Sequence, residues 1–144
     1  MTSSISVSRQ LMVSSLLRSV AYHEPDRVAV KMGEKVYTYG QLEQTALQIA
    51  GWLQSKDVQQ DSKVGFIFKN SLEFVEIFWG ITLSGGVGVP INFRLASDEF
   101  IYIINDSDCE ILFIEEDYVD VIETIRPQLP KVKEIVIASE RKIA

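Results

Sequence analysis

Val64-Gly65-Phe66-Ile67-Phe68-Lys69-Asn70-Ser71-Leu72-Glu73-Phe74 is the stretch that decides the fold. It opens on a continuous apolar run, which suits a strand covered on both faces. Asn70 then offers an N-cap, with Glu73 three positions on, and an apolar-rich helix is expected to run to about Leu83. Gly85-Gly86 stops that helix, and Val87 to Ile91 reads as the next strand.

Downstream the same alternation continues. Ser97 is expected to cap a helix carrying Phe100, Ile101 and Ile104, and Ile111-Leu112-Phe113-Ile114 is another buried strand. Tyr118, Val121, Ile122 and Ile125 mark a further helix, ended by Pro127 and Pro130. Ile135-Val136-Ile137 is the last strand. Strands alternating with helices form βαβ units, whose right-handed crossovers make the sheet parallel.

Upstream the pattern differs. Val28-Ala29-Val30 and Val36-Tyr37 flank Gly33 as a hairpin. Thr38 and Gln41 form a capping box, so a helix should start at Tyr39. Its apolar residues Leu42, Ala46, Ile49, Ala50 and Leu53 share one helical face. Before the His23-Glu24-Pro25-Asp26-Arg27 turn lies an amphipathic first helix, with Leu11, Ser15 and Val20 along it. Residues 1–23 carry Arg9, Arg18, many serines and no acid, a composition shared with organelle transit peptides. The expected class is therefore α/β: a largely parallel sheet with helices on both faces, preceded by an N-terminal helix and a β-hairpin. One domain is expected over 1–144, divided into 1–24 (helix and turn) and 25–144 (the α/β part).

Two features suggest an incomplete fold. The chain ends soon after its last strand, at Arg141-Lys142-Ile143-Ala144, with no closing helix, and an uncovered sheet edge is a liability. The helix over 71–83 is apolar nearly all round except for Glu73 and Glu76, so it should need a further partner surface. Self-association through 71–83, or docking of a missing remainder, is the expected partner relation.

The inventory for chemistry is thin. A formal charge of −6 disfavours nucleic acid or an anionic membrane as main partner. No stretch has the apolar length of a membrane-spanning helix, and a cytoplasmic setting is expected. Cys109 is the only cysteine, set among acids that would raise its thiol pKa, so it reads as structural. His23 is the sole histidine, in a turn beside Pro25, and reads as a surface residue. Glu115-Glu116-Asp117 suits a helix start rather than a metal site, because acids favour that end of the dipole and ligand spacing is missing. Ser84-Gly85-Gly86-Val87-Gly88-Val89-Pro90 follows a helix and opens a strand, the reverse of a phosphate loop. The strand ending Phe68-Lys69-Asn70 lacks the acid that a response-regulator site would need. No catalytic residue and no metal ligand is assigned.

Several segments together resemble the opening of the adenylate-forming enzymes, in particular the acyl-CoA synthetases. Pro25-Asp26-Arg27-Val28-Ala29-Val30 resembles their Pro-Asp-x-x-Ala-x start. Tyr37-Thr38-Tyr39-Gly40-Gln41-Leu42 is similar to a Thr-Tyr-x-Glu-Leu motif, with Gln41 replacing the usual glutamate. Asn70-Ser71-Leu72-Glu73-Phe74 resembles their Asn-Ser-x-Glu-Phe helix start. Leu83 to Asn92 is similar to a second motif, x-x-x-Gly-x-x-x-x-Pro-x-Asn, continuing through Phe93-Arg94-Leu95 and Asn105-Asp106-Ser107.

The resemblance implies an incomplete N-terminal subdomain of the adenylate-forming fold. It implies a parent enzyme that joins ATP and a carboxylic acid, of fatty type, into an acyl-adenylate and then passes the acyl group to coenzyme A. ATP, Mg²⁺ and CoA are the parent's cofactors; none is expected for this chain. The family's Pro-Lys-Gly phosphate loop, ribose-holding acid and mobile lysine have no counterpart in this sequence, so the isolated chain is expected to be inactive. Arg94 matches an arginine that some family ligases place near the CoA phosphates, a role expected in full-length context only. Its alternative is a loop arginine paired with Asp98. Two other readings are a stand-alone dimerising module derived from such an enzyme, and an unrelated small nucleotide-binding domain.

Overall fold

The structure, a computed structural model, describes the backbone of residues 4–138 and the side chains of 13–138. The expected ending at 141–144 and the side chains of Arg9 and Leu11 lie outside the described residues.

Helix α1 (Ser4–His23) is followed by the antiparallel hairpin β1 (Val28–Met32) and β2 (Lys35–Thr38). Helix α2 (Tyr39–Ser55) begins where the capping box places it: Thr38 Oγ1 accepts from the Gln41 N–H, and the Gln41 side chain accepts from the Thr38 N–H at 3.0 Å. Then come β3 (Lys63–Ile67), α3 (Leu72–Ser84), β4 (Val87–Ile91), α4 (Ser97–Asp106), β5 (Cys109–Glu115), α5 (Val119–Ile125) and β6 (Glu134–Ala138).

The last four strands form a parallel sheet in the order β4-β3-β5-β6. Strand alternation sends Val64, Phe66, Ile111 and Phe113 to one face, under Ile49 and Leu53 of α2 and Ile77 and Ile81 of α3. Ile67, Ile91, Leu112 and Ile114 face the other way, against Phe100 and Ile104 of α4 and Ile122 and Ile125 of α5. Each such fully buried side chain stabilises the fold by roughly 1.5–3 kcal/mol relative to exposure. Pro90 sits on β4, an edge strand of this sheet, where its missing N–H costs no ladder bond.

Three local expectations need correction. Ser71, not Asn70, caps α3: its Oγ accepts from the Phe74 N–H at 3.1 Å. Ala96, not Ser97, precedes α4, and Glu99 satisfies the Ala96 N–H at 2.7 Å. After β5 the chain first makes a 3-10 turn over Glu116–Tyr118 before α5 begins at Val119; α5 then ends at Ile125, ahead of Pro127, in a second 3-10 turn over Arg126–Gln128.

The nearly all-apolar α3 is covered largely by the chain itself. Its Ile77 and Ile81 meet the sheet, while Val75, Trp79 and Leu83 pack with Leu17 of α1 and Leu42 and Ala46 of α2. Phe78 stays 41% exposed. Much of that cover is the chain's own helix α2, with Leu17 of α1 adding to it.

Candidate functional site

In an open parallel sheet, ligands enter a crevice outside the carboxyl ends of the strands, where the connections diverge. Here β3 leads through α3 to one side and β5 leads through α5 to the other, so that point lies between β3 and β5. A cleft of about 840 Å³ occupies it. The exit of β3 (Phe68, Lys69, Asn70, Ser71) and the end of β5 with its following turn (Glu115, Glu116, Asp117) form two walls. The start of α3 contributes Leu72 and Glu73, the hairpin contributes Met32 and Lys35, and β6 contributes Ala138.

The two strand exits are tied together. The Lys69 N–H donates to Glu115 Oε1 at 3.0 Å, and Lys69 Nζ donates to Asp117 Oδ2 at 2.5 Å. Partial burial raises the Glu115 pKa, opposed by the Lys69 amide and its charge. The hydrogen bond and charge of Asp117 raise that of Lys69. Two of the three acids at 115–117 are thus more than a helix start: Glu115 and Asp117 clamp the exit of β3. Among the described residues, no group of three His, Cys, Asp or Glu side chains is placed to hold a metal ion.

Arg94 leaves the carboxyl end of β4 on the same side of the sheet as the cleft, but it is not one of the cleft's walls. Its backbone N–H donates to Asn92 Oδ1 at 3.0 Å, and its guanidinium carbon lies 5.3 Å from the centre of the Phe93 ring. No ion pair among the described residues joins it to Asp98, and Arg94 is exposed.

The other candidate residues are dispersed. His23 is the last residue of α1, exposed, with its ring edge-on to Tyr22. Cys109 is fully buried at the start of β5, its Sγ 3.1 Å from Ser107 Oγ. Burial is the main cause of its raised thiol pKa, and the Asp108 charge adds to it. Gly85 ends α3 in the left-handed region at φ 89°, and β4 starts at Val87, so the glycines serve a helix stop.

Sequence reasoning missed Glu76. Assigned by residue type to the polar side of α3, it is only 7% exposed. Burial, then the negative charge of Glu73, pushes its carboxyl up to about 7. An acid among residues of apolar spacing was the available signal.

The family model described as "AMP-binding enzyme" matches residues 17–143. A medium/long-chain-fatty-acid–CoA/3-oxocholest-4-en-26-oate–CoA ligase of Mycobacterium tuberculosis is 37% identical over 116 residues, covering 81% of this chain and 21% of that protein. The 4-hydroxybutyrate–CoA ligase 2 of Metallosphaera sedula is 36% identical over 104 residues, covering 72% of this chain and 19% of the ligase. Among solved structures, a Mycobacterium tuberculosis fatty acyl CoA synthetase superposes with a TM-score of 0.83 at 29% identity, covering 90% of this chain and 27% of that one. The anthranilate CoA ligase AuaEII, solved with anthranoyl-AMP, gives 0.83 at 27% identity, covering 87% and 24%. The chain thus spans about a fifth of the length of the curated relatives it matches.

Proposed function

We propose, from the premise that the chain belongs to the AMP-binding enzyme family, that it is the N-terminal part of an ATP-dependent carboxylic acid–CoA ligase. The observation that carries the reading is the ordered match over most of this chain to a fifth of a CoA ligase. The reaction is acyl-adenylate formation with release of pyrophosphate, then displacement of AMP by the CoA thiol. A fatty acid is the proposed acyl substrate, following the mycobacterial relative. ATP, Mg²⁺ and CoA belong to the whole enzyme, and a cytoplasmic setting suits the free thiol of Cys109.

The isolated chain is proposed to be inactive. Transfer at a triphosphate needs aimed N–H donors and cations around the developing charge. The cleft offers the opposite balance: Glu73, Glu115, Glu116 and Asp117 against Lys35 and Lys69, with Lys69 already held by Asp117. Like charge repels a polyphosphate there.

Arg94 is proposed to hold a CoA phosphate in the whole enzyme. Its exposure supports this, because Arg grips phosphate through two parallel N–H bonds. The reading is tested by joining this chain to the rest of the mycobacterial relative and assaying thioester formation. Arg94→Ala should raise the KM for CoA about tenfold, a loss of about 1.4 kcal/mol, and leave pyrophosphate release unchanged. An unaltered KM for CoA removes the Arg94 role, and a folded chimera that makes no thioester removes the ligase reading.

A dimerising module is the second reading, favoured by the exposed Phe78 on α3. Light scattering tests it from one side: a monomer at high concentration removes the module.

A further inference from the structure

The two edges of the parallel sheet are not alike. On β4 the Val87 N–H donates to the Ser62 carbonyl oxygen at 2.8 Å. Strand alternation then turns the nitrogens of Val89 and Ile91 toward β3 and those of Gly88 and Pro90 outward. Pro90 has no hydrogen to offer, so a further strand on that side would find a donor missing. Proline on an outer strand is one of the ways an edge is closed to pairing. Strand β4 is built to be an edge.

Strand β6 carries no such device. Glu134-Ile135-Val136-Ile137-Ala138 holds no proline, and its one charge is paired with Lys56 at 2.8 Å. Just before it, Lys133 is paired with Glu110 at 2.7 Å. Residues 135–138 put apolar side chains on both faces, the composition of an interior strand of a parallel sheet. In β5, residues 111–114 have that composition and are buried throughout. In β6, by contrast, Ile135 and Val136 are only half-buried and Ile137 is 49% exposed. No described strand lies beyond β6.

We propose that the outer edge of β6 is the docking site for an apolar β-strand supplied by the remainder of the CoA ligase, which makes β6 interior in the whole enzyme. The inference rests on the ligase reading above, and two observations select this occupant. The chain covers 21% of the Mycobacterium tuberculosis ligase, so most of such an enzyme lies outside the match. After β4, the chain adds β5 and then β6 in order on one side of β3, and consecutive strands are usually neighbours. The next strand of the ligase therefore falls beyond β6, where it encloses Ile137.

Amide hydrogen exchange tests this, comparing the 144-residue chain with the same chain joined to the rest of the mycobacterial relative. In the chain alone, the amides over 134–138 should divide into slow ones that donate to β5 and fast ones that face outward. In the joined protein the fast set should slow on the order of a hundredfold, while Gly88 stays fast and 109–115 stay slow in both. Ile137→Lys should leave the urea midpoint of the chain alone unchanged and lower that of the joined protein, because only there is the ammonium enclosed. Slow exchange at every amide of 134–138 in the chain alone overturns the proposal, since the edge is then already covered. A fast set that stays fast in a joined protein that makes thioester also overturns it, and leaves the ligase reading standing. A joined protein that slows the fast set yet makes no thioester supports the docking edge and removes the ligase reading.

Discussion

The Lys69 N–H donates to Glu115 Oε1 at 3.0 Å, across the gap where β3 and β5 send their connections apart. A backbone donor leaving a parallel strand has lost its ladder partner, and a carboxylate from the neighbouring strand replaces it. Glu115→Ala should therefore destabilise by about 1 kcal/mol, and Glu115→Gln by less, because an amide oxygen still accepts. Asp117→Asn touches only the exposed Lys69 pair and should cost under about 1 kcal/mol. Urea denaturation of the three variants checks this order.

Gly80 is where α2 and α3 touch. A Cβ there would stand 2.4 Å from Ile49 Cγ2, inside any tolerable contact. Alanine ordinarily favours a helix by about 1 kcal/mol over glycine. Overpacking of about 1–3 kcal/mol outweighs that gain, so Gly80→Ala should lower the Tm. Adding Ile49→Ala should recover part of the loss by vacating the space, and a double-mutant cycle measures the coupling.

Helix α2 has no acid in its first turn, and Gln41 completes its capping box. Gln41→Glu keeps the back-bond to the Thr38 N–H and places a negative charge at the positive end of the helix dipole. Stabilisation of about 0.3–1 kcal/mol is expected at low salt, shrinking as salt is added. Thr38→Ala should instead cost about 1 kcal/mol.

Burial gives Glu76 a firmer hold on its proton in the folded state, at about 7, than the ordinary 4.5. The folded form is thus favoured most below about pH 4.5, and the advantage drains away as pH rises to about 7, then stays level. Relative to the unaltered chain, Glu76→Gln should gain about 1–3 kcal/mol at pH 8 and close to nothing at pH 4. Parallel denaturation curves at the two pH values decide it.

What was legible in the sequence follows from how local the physics is. The α2 start at Tyr39 needs only Thr38 and Gln41, which lie within one turn, and both sides of the box form. The strand core Val64–Ile67 and the Gly85 stop are equally local. Asn70 and Ser71 are both good caps by residue type; Ser71 takes the position, extended at φ −146°, with its hydroxyl reaching the Phe74 N–H. Glu76 reads as polar by residue type, but it shares the helical spacing of Leu72 and Gly80, and α3 is covered on more than one side, so the position is interior. The Lys69–Glu115 clamp joins residues far apart in sequence and left no local pattern to read. Arg94 was chosen by resemblance, and the structure places it beside Phe93, apart from the cleft.

Pyrophosphate release from the 144-residue chain, supplied with ATP, Mg²⁺ and a medium-chain fatty acid, tests the functional account most directly. The account predicts a signal no greater than the protein-free blank, with release appearing only once the remainder of a CoA ligase is joined to the chain. Release by the chain alone, scaling with its concentration and dependent on the fatty acid, would contradict it.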